Sequence, residues 1–272
     1  MYKRQRIAGD PVRDKDEVLW TVVDITERVK AKEKIDQLAS KLSRYLSPQV
    51  YQSIFSGKKN VKIEAYRKKL TVFFSDIKGF TEITDRLEPE VLSTLLNSYL
   101  NEMSKIALKY GGTIDKFVGD AILIFFGDPE TKGDKEDAYS CVLMALEMQE
   151  RMHHLKNLWE GQGITNPLEI RIGINTGYCN VGNFGSENRL DYTIIGGEVN
   201  LASRLESNAM TGQILISQET YALIKKHIVC EKKDEIKVKG ITHKIQTYQV
   251  VGSYKNIAQK RKILNEKFDG FN

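Results

Sequence analysis

The sequence predicts an α+β fold, a mixed α/β sandwich with one main sheet and flanking helices. Two observations predict it. Apolar, β-branched and aromatic runs of strand length come in pairs. Between the pairs lie long segments whose apolar residues repeat at helical spacing. A hydrophobic content of 41% over 272 residues supplies a real core. That length suits one large domain, or one domain with an appendage.

Residues 18–23, Val-Leu-Trp-Thr-Val-Val, read as a strand. A lone strand cannot bury both faces, so residues 1–27 read as a piece of something larger. A helix follows from about 27 to 45. Its Ala31, Ile35, Leu38, Leu42 and Tyr45 make a short heptad seam flanked by charge. Two readings are open: a weak parallel dimer, or a single amphipathic helix lying on the downstream core. Pro48 breaks the period, because proline disfavours helix at the residue before it. A second short helix over 49–55 closes at Gly57. Residues 28–65 thus read as a signalling linker.

The core begins with a buried strand within 70–81, Leu-Thr-Val-Phe-Phe-Ser-Asp-Ile-Lys-Gly-Phe-Thr, which leads into a helix start at 82–86. Pro89 suits a first helical turn. Leu95, Tyr99, Met103 and Ile106 mark the apolar stripe of that helix, which Gly111-Gly112 ends. A strand pair turns at Gly119-Asp120. A long helix over 134–159 carries Met144, Met148 and Met152, a core face rather than a cofactor box. Strands follow at 168–174 and 191–195, helices at 198–207 and 218–226, and closing strands at 235–238 and 246–251. The tail, 253–272, is charged and adds no core.

Two carboxylates interrupt these apolar runs. Asp76 ends the first strand; Asp120 lies in 115–127, Asp-Lys-Phe-Val-Gly-Asp-Ala-Ile-Leu-Ile-Phe-Phe-Gly. Acids at strand tips are costly unless paired. Two brought together by the fold repel unless a cation lies between them, the outline of a divalent-metal site for a phosphate substrate. After Asp76, the glycine turn through Gly79, Phe80 and Thr81 leads into the helix start at 82–86, and together they form a phosphate cradle. Singly, Asp76 also fits a helix N-cap, and Asp120 a hairpin turn. A third segment, 191–206, reads Asp-Tyr-Thr-Ile-Ile-Gly-Gly-Glu-Val-Asn-Leu-Ala-Ser-Arg-Leu-Glu. Asn200 and Arg204 are four apart on its helix and share a face. An amide and a guanidinium there can hold a ribose and a phosphate, although polar residues on a surface helix have the same pattern.

The net charge of +5 is spread along the chain, without a basic block interleaved with aromatics, so nucleic acid is not implied. Three distant cysteines read as reduced thiols in a cytosolic compartment. The four histidines lack zinc spacing. No apolar run reaches the length of a membrane span.

With these segments in order, the chain resembles the class III nucleotidyl cyclases, the adenylate and guanylate cyclase homology domain, over roughly 66–252. Lys-Val-Lys-Gly at 237–240 is the fourth matching segment. Residues 14–28 resemble the end of a PAS sensor domain, so the resemblance implies a chain cut from a longer sensor protein. It also implies a cyclase-like sheet and two divalent metal ions, Mg2+ or Mn2+, on Asp76, Asp120 and the Ile77 carbonyl. Lys116 and Thr193 match base-contacting positions, Asn200 the ribose-orienting asparagine, Arg204 the transition-state arginine, and Lys239 a lysine for the terminal phosphates. Many family members have Asp where Thr193 stands, and those with Thr include bicarbonate-responsive enzymes.

The residue types set the base. Lys116 can donate to adenine N1, and the Thr193 hydroxyl can accept from N6; guanine would meet Lys116 with N1–H, donor against donor. The expectation is therefore an adenylate cyclase acting on ATP. Alternatives are a guanylate cyclase and a non-catalytic nucleotide-binding dimerisation module. The resemblance further implies a head-to-tail homodimer with shared sites. One protomer gives Asp76 and Asp120; the other gives Lys116, Thr193, Asn200, Arg204 and Lys239.

Overall fold

The computed structural model describes residues 5–7, 22–55, 63–161, 164, 168–238 and 244–254. Lys239, the tail from Lys255 and most of the expected strand at 18–23 lie outside the described residues. The chain divides into two compact units, Met1–Tyr51 and Gln52–Asn272.

In the first unit, β1 (Gln5–Ile7) pairs antiparallel with β2 (Val22–Asp24). β2 is the end of the expected strand. Its three-residue partner is too short to show a period in sequence. The Asp24 carboxylate accepts from the Thr26 amide at 2.9 Å at the start of α1 (Thr26–Leu42). A 3-10 turn, Ser43–Tyr45, ends that helix before the expected 45. The seam residues Ile35 and Leu38 are 63% and 52% exposed. α2 (Pro48–Phe55) opens on its proline, whose missing N–H has no partner to lose there.

The second unit continues with β3 (Ala65–Ile77), α3 (Phe80–Thr84), α4 (Pro89–Tyr110), β4 (Thr113–Val118), β5 (Ala121–Phe126) and α5 (Asp134–Gly161). Then come β6 (Ile170–Ser186), β7 (Arg189–Ile195), α6 (Gly197–Asn208), β8 (Ile214–Ser217), α7 (Gln218–Ile224), β9 (Ile228–Lys232) and β10 (Thr247–Ser253). The main sheet runs β4-β5-β3-β6-β8-β10-β9, with β7 paired to β6. All pairings are antiparallel except β6 with β8. One edge of β6 carries β3 along its length; the other carries β8 at 172–174 and β7 at 180–186.

Alternation along β3 serves two cores. Phe73 and Ile77 pack with α4 and α5, including Tyr99, Met103, Met148 and Trp159. Leu70 and Val72 face the other way, with Val181, Ile194, Val199 and Ala202. The sheet is thus covered by α4, α5 and α7 on one side and α6 on the other. The methionine face of α5 is core, as its spacing predicts.

Four strands of the main sheet differ from expectation. β6 is far longer than 168–174, because its glycines and asparagines hide the strand pattern. β8 and β9 carried too short a pattern to stand out. The strand expected at 235–238 is a single bridge, Ile236 with Ile245, and the closing pair is formed by β9 and β10 instead. The charged run after Lys232 cannot continue an edge pairing that buries one face.

One glycine in β6 sets the position of α6. A Cβ at Gly173 would lie 2.1 Å from the Glu206 amide nitrogen and 2.3 Å from the Ala202 carbonyl oxygen. Backbone meets backbone there, so neither can yield cheaply. Gly173→Ala is expected to push α6 from the sheet and cost about 1–3 kcal/mol of stability. Urea unfolding of the variant against the parent checks it.

Candidate active site

The tips of β3 and β5 bring the two acids together. Ser75 pairs with Ile122 across these strands, and the β4–β5 turn at Gly119-Asp120 follows directly. The Ile77 amide donates to Asp120 Oδ2 at 3.0 Å. Gly119 has φ +64, a left-handed conformation that favours glycine in so tight a turn. Asp120 is therefore both a hairpin residue and a partner of the β3 tip. Burial, then the hydrogen bond and charge of neighbouring Asp76, push its carboxyl up to about 6. Two acids held this close favour a cation between them.

Asp76 is not a helix cap. The N-cap of α3 is Gly79, with φ +68 and no side-chain cap. Asp76 instead meets Arg171, whose Nη2 donates to Asp76 Oδ2 at 3.1 Å. The same guanidinium lies 2.9 Å from Glu206 Oε1, a charge pair not aligned as a hydrogen bond. Its Nε has no hydrogen-bond partner among the described residues. Burial lifts Glu206 above the usual carboxylate range, and Arg171 opposes that. Three acids against one guanidinium leave this end of the sheet short of positive charge. Among the described residues no group of three or more His, Cys, Asp or Glu forms a metal-binding cluster. A small hard cation held by one or two carboxylates, with remaining oxygens from backbone and substrate, fits that donor set.

The expected base contacts form a second cluster. β4 bulges between Ile114 and Lys116, so Asp115 is the extra residue, opposed by no partner on β5. Its carboxylate reaches β7. Thr193 Oγ1 donates to Asp115 Oδ2 at 2.6 Å, and the Ile194 amide donates to the same oxygen at 3.2 Å. Lys116 Nζ lies 3.3 Å from Asp115 Oδ1. The Asp115 side chain is 1% exposed, while that of Lys116 is 44% exposed.

Asn200 and Arg204 lie on α6, both exposed, and neither side chain is hydrogen-bonded or ion-paired among the described residues. The helix beneath them is pinned: the Asn175 amide donates to the Glu198 carbonyl at 3.0 Å and to its carboxylate at 2.7 Å. The structure thus joins Asp76, Ile77 and Asp120 in one place, joins Lys116 and Thr193 through Asp115 in another, and leaves Asn200 and Arg204 facing outward. Gly79, Phe80 and Thr81 follow the first group directly. No hydrogen bond or ion pair links the first group to the second within the chain among the described residues. Lys239 lies outside the described residues. Sequence reasoning passed over Arg171 and Asp115. A charge inside an apolar strand marked the first, and an acid beside the expected base-contacting lysine marked the second. Glu206 had no distinguishing signal.

Residues 61–252 match the family model described as the adenylate and guanylate cyclase catalytic domain. The adenylyl cyclase CyaB from P. aeruginosa has a solved structure 64% identical to the chain, with TM-score 0.69, covering 70% of the chain and 97% of CyaB. That of the guanylyl cyclase Cya2 is 37% identical, with TM-score 0.67, covering 70% of the chain and 95% of Cya2. The terminal-differentiation-specific adenylate cyclase of Dictyostelium discoideum is 34% identical over 228 residues, which are 81% of this chain and 10% of that protein. The chain spans less than half the length of the curated relatives it matches.

Proposed function

Because the chain belongs to the adenylate and guanylate cyclase catalytic domain family, we propose that it converts ATP to 3′,5′-cyclic AMP and pyrophosphate at sites shared between two copies. The observation that carries this is the Asp76–Asp120 pair at the strand tips, tied through the Ile77 amide. The 64% identity with an adenylyl cyclase supports ATP over GTP.

Two divalent cations, Mg2+ or Mn2+, on Asp76, Asp120 and the Ile77 carbonyl would neutralise the triphosphate and acidify the ribose 3′-hydroxyl. The 3′-oxygen attacks the α-phosphorus in line, the bond to the β-phosphate oxygen breaks, and the hydroxyl proton passes to solvent. The uncapped turn at Gly79, Phe80 and Thr81 offers amides to the phosphates. Lys116 donates to adenine N1, and Thr193 accepts from N6. Asn200 orients the ribose. Arg204 places a planar fork of donors where charge builds on the transferring phosphoryl group, and Lys239 sets a point charge at the leaving pyrophosphate.

The separation of the acidic cluster from the base cluster supports the two-copy reading, in which each site takes one cluster from each protomer. The exposed seam of α1 supports a parallel pairing of the linker 28–65. On this reading 1–27 is the end of a PAS-like sensor, 66–252 is the catalytic output, and Thr193 places the enzyme in the Thr-type subclass. The catalytic domain works in the cytosol; among the described residues no helix is long and apolar enough to cross a membrane.

Product formation from ATP and from GTP, in Mg2+ and in Mn2+ across protein concentrations, tests the proposal. The expected result is cyclic AMP from ATP, with specific activity rising as the protein dimerises. Cyclic GMP as the main product would replace it with a guanylate cyclase. Metal-dependent nucleotide binding without turnover would leave a binding module.

A further inference from the structure

A threonine hydroxyl is a poor discriminator of purines by itself. Its one proton can be donated to guanine O6 as readily as its lone pairs can accept from adenine N6. In this chain that freedom is gone. The Thr193 proton is spent on Asp115 Oδ2 at 2.6 Å, and an ionised carboxylate can only accept. The Ile194 amide at 3.2 Å and Lys116 Nζ at 3.3 Å also face that carboxylate, so three donors converge on one buried acid. The bulge in β4 is what aims Asp115 at β7 rather than along its own strand. None of these contacts is needed to close the sheet, since β4 pairs with β5 and β7 pairs with β6.

We propose that Asp115 is the positioning residue for base selection: it takes the Thr193 proton and anchors the Lys116 ammonium, so that the pocket offers adenine one acceptor and one donor. Guanine O6 then meets lone pairs on Thr193, and its N1–H meets the Lys116 donor. The first mismatch arises from a carboxylate that never touches substrate; the second belongs to the donor-only ammonium that the same carboxylate holds in place. A site whose polar groups are left unmet rejects the wrong ligand far more strongly than a merely loose fit does. The inference deepens the proposed function and rests on Lys116 and Thr193 contacting the base.

The test is the ratio of kcat/KM for ATP to that for GTP in the full chain. Asp115→Asn keeps the side-chain size but removes the acceptor-only carboxylate, and the ratio is expected to fall about tenfold or more. Thr193→Val should lower the ratio similarly, while Thr193→Ser, which still donates to Asp115, should keep it. Adding Asp115→Asn to Thr193→Val should move the ratio less than Asp115→Asn does alone, because the two act through one contact. Asp115→Ser gives the same reading if Asp115→Asn does not fold. Equal loss of activity with both nucleotides, or Asp115→Asn and Thr193→Val effects that simply multiply, would overturn the inference in favour of a structural tie. If the parent chain makes no cyclic product, the proposed function fails separately. The ratio of ATP to GTP dissociation constants then carries the test, and an unchanged ratio in Asp115→Asn rejects it.

Discussion

Replacing Asp76 or Asp120 by alanine is expected to lower kcat by about a thousandfold or more, while the chain stays folded. The loss follows from chemistry rather than packing. Without either acid the strand tips no longer present two carboxylates to a cation, and the triphosphate loses the metal charge that would neutralise it. Stability moves little. In Asp76→Ala, Arg171 keeps Glu206, and Asp120 loses the neighbour whose charge helped raise it to about 6. The pair given up, Asp76 with Arg171, is partly exposed, with Asp76 at 30%, and such pairs contribute about 1 kcal/mol or less. In Asp120→Ala the Ile77 amide loses its acceptor, a loss of about 1 kcal/mol. A second readout separates this account from simple damage. Mg2+ or Mn2+ should raise the melting temperature of the parent chain, because a ligand that binds only the folded state stabilises it. Neither variant should respond in that way. A variant that keeps wild-type kcat would remove that acid from the site.

Arg204→Ala is expected to lower kcat by about two to three orders of magnitude while changing KM little. Its guanidinium is exposed on α6 and makes no ion pair among the described residues, so the folded chain loses nothing it was using. Thermal stability should therefore stay within about 0.5 kcal/mol. An interaction made mainly as charge builds on the phosphoryl oxygens appears in kcat and not in ground-state binding. Arg204→Lys should recover only part of the rate, since a point charge cannot replace a planar fork. A rise in KM with kcat unchanged would make Arg204 a binding residue only.

Much of this was legible in the sequence, for reasons tied to period and chemistry. α4 was readable to the residue because Pro89 opens it and Gly111 closes it in a left-handed cap. The acids at 76 and 120 stood out because each interrupts an apolar run. β6 was only half visible. Gly173, Gly177 and Asn175 sit in it because α6 presses against that face, so tertiary packing, not strand propensity, chose them. Arg171 and Asp115 gain meaning only when strand pairing places them beside Asp76 and Thr193. A register that joins residues 95 and 78 positions apart in the chain has no local signature.

The most direct measurement of a shared catalytic site mixes two inactive chains. On the proposed function, Asp76→Ala lacks an acid that would hold the metal, and Arg204→Ala lacks the cation proposed for the transition state. In a mixed dimer one site collects both lesions and the other collects none. Mixing equal amounts, with exchange of subunits, should restore cyclic AMP formation to about a quarter of the parent activity, because half of the dimers are mixed and each has one intact site of two. Activity that stays at the level of the separate variants would contradict the account and place the whole site within a single chain.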